Sequence, residues 1–127
     1  MGAAKSTGER ILVLVVDDNE DAADSLAEWL RHSGHKVEVA YSGLKALDCV
    51  RAFNPDVVIC DLGLPEITGY EVARAVRRDA THAIRLVALT GYDRPEEVSR
   101  CMECGFDAHV AKPAPPAYIE RMLRVSQ

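Results

Sequence analysis

Short, wholly apolar runs alternate along this chain with longer stretches whose apolar residues fall at helical spacing, and that alternation leaves few folds open. Strands separated by helices build βαβ units and a parallel sheet. A strand covered by helices on both faces reads as a continuous apolar run, as Ile11-Leu-Val-Leu-Val-Val16 does. After the acidic run Asp17-Asp-Asn-Glu-Asp21 a helix is expected, with Ala23, Leu26, Ala27 and Leu30 on one face and a stop near Gly34. Val37 to Ala40 predicts a second strand, and Ser42 caps a helix that carries Leu44, Leu47 and Val50 inward. Asn54-Pro55 breaks it, and Asp56-Val-Val-Ile-Cys60 predicts a third strand ending at Asp61. Gly63 and Pro65 mark 62–67 as loop, and Thr68 caps a helix that runs to about Arg78. Ile84 to Leu89 predicts a fourth strand ending at Thr90-Gly91. Asp93 suits the next helix cap, Pro95 its first turn, and Glu96 and Glu97 its positive end, with a stop at Gly105 after Cys104. Ala108 to Ala111 predicts a fifth strand ending at Lys112-Pro113. Pro115 and Pro116 open a last helix with Tyr118, Ile119, Met122 and Leu123 at core spacing.

Composition narrows the function. At 127 residues the chain fits one domain, expected over 11–127 behind a small, polar, flexible lead at 1–10. A net charge of −5 argues against direct nucleic-acid binding. The arginines of 74–78 and 121–124 read as solvated helix faces. No apolar run approaches the roughly 20 residues that span a bilayer, and the lead lacks a signal peptide's apolar core. A cytoplasmic protein without membrane contact is therefore expected, with its four cysteines as reduced thiols.

The polar residues fall in a pattern. Asp17 and Asp18, Asp61, Thr90 and Lys112 each follow the C-terminal end of an expected strand. Those ends share one edge of an open parallel sheet, where ligands bind. Alone, an acidic pair is often a solvated turn, Thr-Gly a turn, and Lys-Pro a surface loop. Together they put three carboxylates in one cleft, where mutual repulsion calls for a cation, and an all-oxygen donor set favours Mg²⁺ or Mn²⁺. One carboxylate can then act as a nucleophile toward phosphorus. Lys112 supplies further positive charge and Thr90 a hydroxyl for a phosphoryl oxygen.

The stretches Val15-Val-Asp-Asp-Asn-Glu20, Cys60-Asp-Leu-Gly-Leu-Pro65, Gly69-Tyr-Glu71, Leu89-Thr-Gly-Tyr92 and Gly105-Phe-Asp-Ala-His-Val-Ala-Lys-Pro113 resemble the receiver domain of bacterial two-component response regulators and hybrid histidine kinases. The resemblance implies a doubly wound, flavodoxin-like (βα)5 fold with strand order 2-1-3-4-5. It implies Asp61 as phosphoacceptor and Asp18 as a direct Mg²⁺ ligand. Asp17 would act mostly through water, and the Gly63 carbonyl would be a further ligand. Thr90 would move to bind the phosphoryl group, Lys112 would pair with it, and the Lys112-Pro113 bond would be cis. The implied partners are a histidine kinase or histidine phosphotransfer protein and a downstream protein target. A homodimer through the fourth helix, fifth strand and fifth helix is a further option. Both a stand-alone regulator and a domain of a hybrid kinase fit these stretches.

Three positions depart from the commonest pattern or tune it. His109 stands where the family usually has Tyr or Phe; it either takes the switching role, with pH sensitivity, or is a partly exposed strand-end histidine. Gly63 offers no side chain to shield the phosphoryl group, whereas the Tyr92 ring restricts water. Phosphoryl lifetime is therefore expected to change in Tyr92→Ala, read as the dephosphorylation rate. Cys101-Met-Glu-Cys104 closes a helix rather than opening one and lacks a full ligand set, so metal or redox chemistry there is disfavoured. Cys49 and Cys60 read as small core residues, and Trp29, off the main apolar face, as a packing residue.

Other readings fit less well. A phosphorylation-independent binding module has no need of the complete acidic and basic set. Haloacid-dehalogenase-type phosphatases need an aspartate where Gly63 stands. Flavodoxins place a hydroxyl-rich loop where Asp17-Asp18 would repel phosphate.

Overall fold

The computed structural model describes residues 11–91 and 95–123. The lead, Tyr92, the expected cap Asp93 and the last arginine, Arg124, lie outside the described residues. Five strands alternate with five helices: β1 Leu12–Val16, α1 Glu20–His32, β2 Lys36–Ala40, α2 Gly43–Phe53, β3 Val57–Asp61, α3 Gly69–Asp79, β4 Arg85–Thr90, α4 Pro95–Cys104, β5 Ala108–Ala111 and α5 Pro116–Arg121. All pairings are parallel, in the order β2-β1-β3-β4-β5, as the family resemblance implied.

Alternation along each strand divides the core into two layers. Val13, Val15, Val57, Ile59, Val87, Leu89 and Val110 pack with α1 and α5 through Leu26, Leu30, Ile119 and Leu123. Leu14, Val16, Val58, Cys60, Leu86 and Ala88 pack on the opposite face with Val72, Val76, Cys101, Cys104 and Phe106. Both faces of the central strands are thereby covered, which is why those strands are apolar throughout. Trp29 packs at the margin of the α1/α5 layer.

Helices α1, α2 and α3 start where side chains satisfy their free amides. Asn19 accepts from Ala22 N–H, Ser42 from Lys45 N–H, and Thr68 and Glu71 form a reciprocal capping box. Two expected core residues face outward instead. Leu44 is 56% exposed, because the inward stripe of α2 starts at Gly43 and continues through Ala46 to Leu47 and Val50, the two expected residues that do pack on the core. Gly43 sits against Ile67, where an added Cβ would collide with its side chain. Tyr118 is 43% exposed, because the short α5 turns Ile119 and Leu123 inward. Arg77 also departs from the expectation of a solvated face. Its guanidinium donates to Gly105 O (2.6 and 2.9 Å) and Ile84 O (2.6 Å) and pairs with Asp107 at 2.7 Å. It ties α3 to the segments flanking β4 and β5. Among the described residues no helix is long and apolar enough to cross a membrane.

Candidate functional site

The strand order reverses between β1 and β3, and crevices at such a point collect residues from the carboxyl ends of both strands. Asp17 and Asp18 follow β1, and Asp61 ends β3. Each offers an oxygen, and the three lie within 4.8 Å of one another. Asp17 is buried, Asp61 half-buried and Asp18 exposed, so the cluster opens to solvent on one side.

Backbone and side-chain contacts fix two of these carboxylates. Asp17 Oδ1 accepts the Asn19 N–H at 3.0 Å, and Asp61 Oδ1 accepts the Gly63 N–H at 3.2 Å. Lys112, arriving from the end of β5, places Nζ 3.3 Å from Asp61 Oδ2 and 3.4 Å from Asp17 Oδ2. Its own N–H donates to Thr90 O at 2.8 Å, so lysine and threonine are neighbours through the backbone. Thr90 is 4% exposed and shares the strand face of Leu86 and Ala88. His109 is half-buried and alternates with Val110, which puts it on the α2/α3/α4 side of the sheet. The Lys112-Pro113 bond is cis.

The electrostatics follow from this crowding. Burial, followed by the Asp17 charge, raises the Asp61 carboxyl above its ordinary value, against the opposing Gly63 N–H and Lys112 ammonium. Burial draws Lys112 down, yet Asp61 and Asp17 together outweigh it and hold the ammonium above its usual value. Cys60, beneath the site, is pushed far up by burial and then by the charges of Asp61 and Asp17, so its thiol stays protonated and inert.

The donor set suits a hard divalent ion. Every ligand atom is oxygen, and oxygens on opposite sides of Mg²⁺ lie roughly 4.2 Å apart at the usual bond length. The oxygens of the cluster lie within 4.8 Å of one another, a spread of the same order. The cluster could therefore hold a metal through Asp17, Asp18 and Asp61.

Asp17, Asp18, Asp61, Gly63, Thr90 and Lys112 stand at or just past the C-terminal ends of the strands, His109 lies within β5, and Tyr92 lies outside the described residues. Two contributors had no role assigned from sequence. Asn19 both caps α1 and fixes Asp17, and its place before Glu20 is an N-cap signal. Gly69 packs on the backbone of Asp61, where a Cβ would stand 2.6 Å from the carbonyl oxygen; only its place in the Gly-Tyr-Glu stretch marked it.

Fold and site together define an open, doubly wound α/β domain whose switch-point crevice is acidic and bridged by one lysine. The family model described as the response regulator receiver domain matches residues 13–124, and the chain belongs to that family. The transcriptional regulatory protein CreB of Escherichia coli (strain K12) is 42% identical over 119 residues, covering 91% of this chain and 50% of CreB. The chain thus spans about half the length of that relative. The polar-differentiation response regulator DivK of Brucella ovis is 32% identical over 110 residues, which are 85% of this chain and 89% of DivK. The solved structure of the chemotaxis protein CheY4 of Vibrio cholerae superposes with a TM-score of 0.86 at 28% identity, covering 91% of this chain and 97% of that one.

Proposed function

We propose that this receiver domain is the phosphoacceptor of a two-component phosphorelay, taking a phosphoryl group from a phosphohistidine onto Asp61. An Asp61 carboxylate oxygen attacks phosphorus. The P–O bond forms as the P–N bond breaks, and the donor imidazole leaves with a proton. Mg²⁺ or Mn²⁺, held by Asp18 and Asp61, by Asp17 through water and by the Gly63 carbonyl, would neutralise charge on the transferred group. Lys112, already 3.3 Å from Asp61 Oδ2, would neutralise it as well, and Thr90 would hydrogen-bond a phosphoryl oxygen. His109 and Tyr92 tune the response.

The observation that carries this reading is the convergence of three carboxylates from the two central strands with Lys112 bridging two of them. The added charge shifts the surface of α4, β5 and α5. That surface then contacts a downstream protein or a second copy of the chain, in the cytoplasm, with a histidine kinase or histidine phosphotransfer protein as donor. Incubation with acetyl phosphate and Mg²⁺, followed by intact-mass spectrometry, is expected to give one phosphoryl adduct that chelator prevents. An unmodified wild-type chain would instead favour a phosphorylation-independent binding module.

A further inference from the structure

The residue after Gly69 reaches across to the next helix. The Tyr70 ring is buried in the core, 6% exposed, and its hydroxyl donates to Glu97 Oε1 at 2.6 Å. The Arg100 guanidinium lies over the same ring, 4.1 Å from its centroid. Glu97 and Arg100 are one turn apart on α4, so both meet one aromatic side chain. Burial, and then the bond to Glu97, hold the phenol well above its ordinary value, so it remains a donor.

These contacts have a fixed reference at their other end. Gly69 is pressed against the Asp61 carbonyl and Leu62 Cα, leaving no room for even a methyl group. The start of α3 therefore cannot approach or slide across the phosphoacceptor's backbone. Cys101 and Cys104 fill the core beneath α4, and the directional hydrogen bond and stacked guanidinium add to that packing a tie specific to Tyr70.

We propose that Tyr70 is a positioning residue that holds α4 in register with Asp61 through Glu97 and Arg100, and so sets how readily the site accepts a phosphoryl group. This rests on the phosphoacceptor reading. The hydroxyl contact is already at optimal length, so any displacement of α4 on modification weakens it. The clamp favours the arrangement seen here, and its loss shifts the population toward the displaced one.

Titration calorimetry with beryllofluoride in saturating Mg²⁺, a phosphoryl analogue, tests the idea on wild type, Tyr70→Phe, Glu97→Ala, their double variant and Glu97→Gln. Tyr70→Phe keeps the buried ring, and urea midpoints establish that each variant is folded. Either single loss is expected to tighten binding by roughly three- to tenfold. The double variant should gain nothing further, and Glu97→Gln, whose amide oxygen accepts the same hydroxyl, should match wild type. Wild-type binding with unchanged or simply additive variants would overturn the clamp alone. A wild type that fails to bind the analogue would overturn the phosphoacceptor reading and the clamp with it.

Discussion

Asp61→Asn is expected to take up no phosphoryl group from acetyl phosphate and, in chelator at neutral pH, to be more stable than the wild type. The first effect is chemical, because an amide oxygen cannot form the acyl phosphate. The second follows from the direction of the Asp61 shift. Burial and the Asp17 charge raise its folded pKa above the ordinary 3.8. For a carboxylic acid this means that folding favours the protonated form. The contribution to stability is therefore greatest in acid and is lost as pH rises from the ordinary value through the raised one. At neutral pH the ionised side chain works against the fold. Asparagine has nearly the same shape and no charge, and Lys112 keeps Asp17 at 3.4 Å. The gain should be roughly 0.5–2 kcal/mol, the range seen when a functional compromise is relieved.

Urea denaturation in chelator across the acid range checks the sign. The advantage of the variant should shrink as pH falls toward 3.8, as the folded wild-type carboxyl takes up its proton. Mg²⁺ should narrow the gap from the other side, since the wild type gains more by binding the ion. Equal stability at every pH would refute the electrostatic account, and a phosphoryl adduct on the variant would refute the site assignment.

Gly69→Ala should be the most damaging single-methyl change near the site. The new Cβ would stand 2.6 Å from Asp61 O and 2.8 Å from Leu62 Cα. Both obstacles are backbone atoms, so no side-chain rotation relieves them. The start of α3 must retreat, straining the Gly69 N–H bond to Leu62 O and the capping box of Thr68 and Glu71. Overpacking costs about 1–3 kcal/mol and a disturbed cap about 1, for a loss of roughly 2–4 kcal/mol from a total of about ten for a domain this size. The retreat also pulls on the 62–68 loop that carries the Gly63 N–H onto Asp61, so phosphoryl uptake should fall several-fold even where the variant is folded. Gly91→Ala, with nothing among the described residues within 4 Å of its Cβ, is the stability control. A Gly69→Ala midpoint matching that control would remove the steric argument.

What could be read from the sequence follows from how local each signal is. The ten elements announce themselves through short-range patterns: apolar runs, caps and glycine or proline stops. The site residues were legible because a parallel sheet gathers its strand ends on one edge, so position in sequence implied position in space. The outward turn of Leu44 was not legible, because Gly43, which packs inward beside it, does so against Ile67 in a distant loop. Arg77 looked like one more helical surface charge, since its carbonyl partners at Ile84 and Gly105 are set by tertiary packing. The bond between Tyr70 and Glu97 spans 27 residues and has no periodic signature. Pairwise side-chain ties between elements are the information that one-dimensional patterns lose.

The members of the crevice do not stand on equal footing. The acidic ones rise from β1 and β3, each flanked by strands on both sides, whereas Lys112 follows β5, which pairs only with β4 through four residues. A phosphoryl group carries its negative charge several ångströms outward from the carboxylate it modifies. On the proposed reading, the ammonium that would follow that charge is mounted at the rim, where the scaffold yields first, while Asp61 keeps a seat between paired strands.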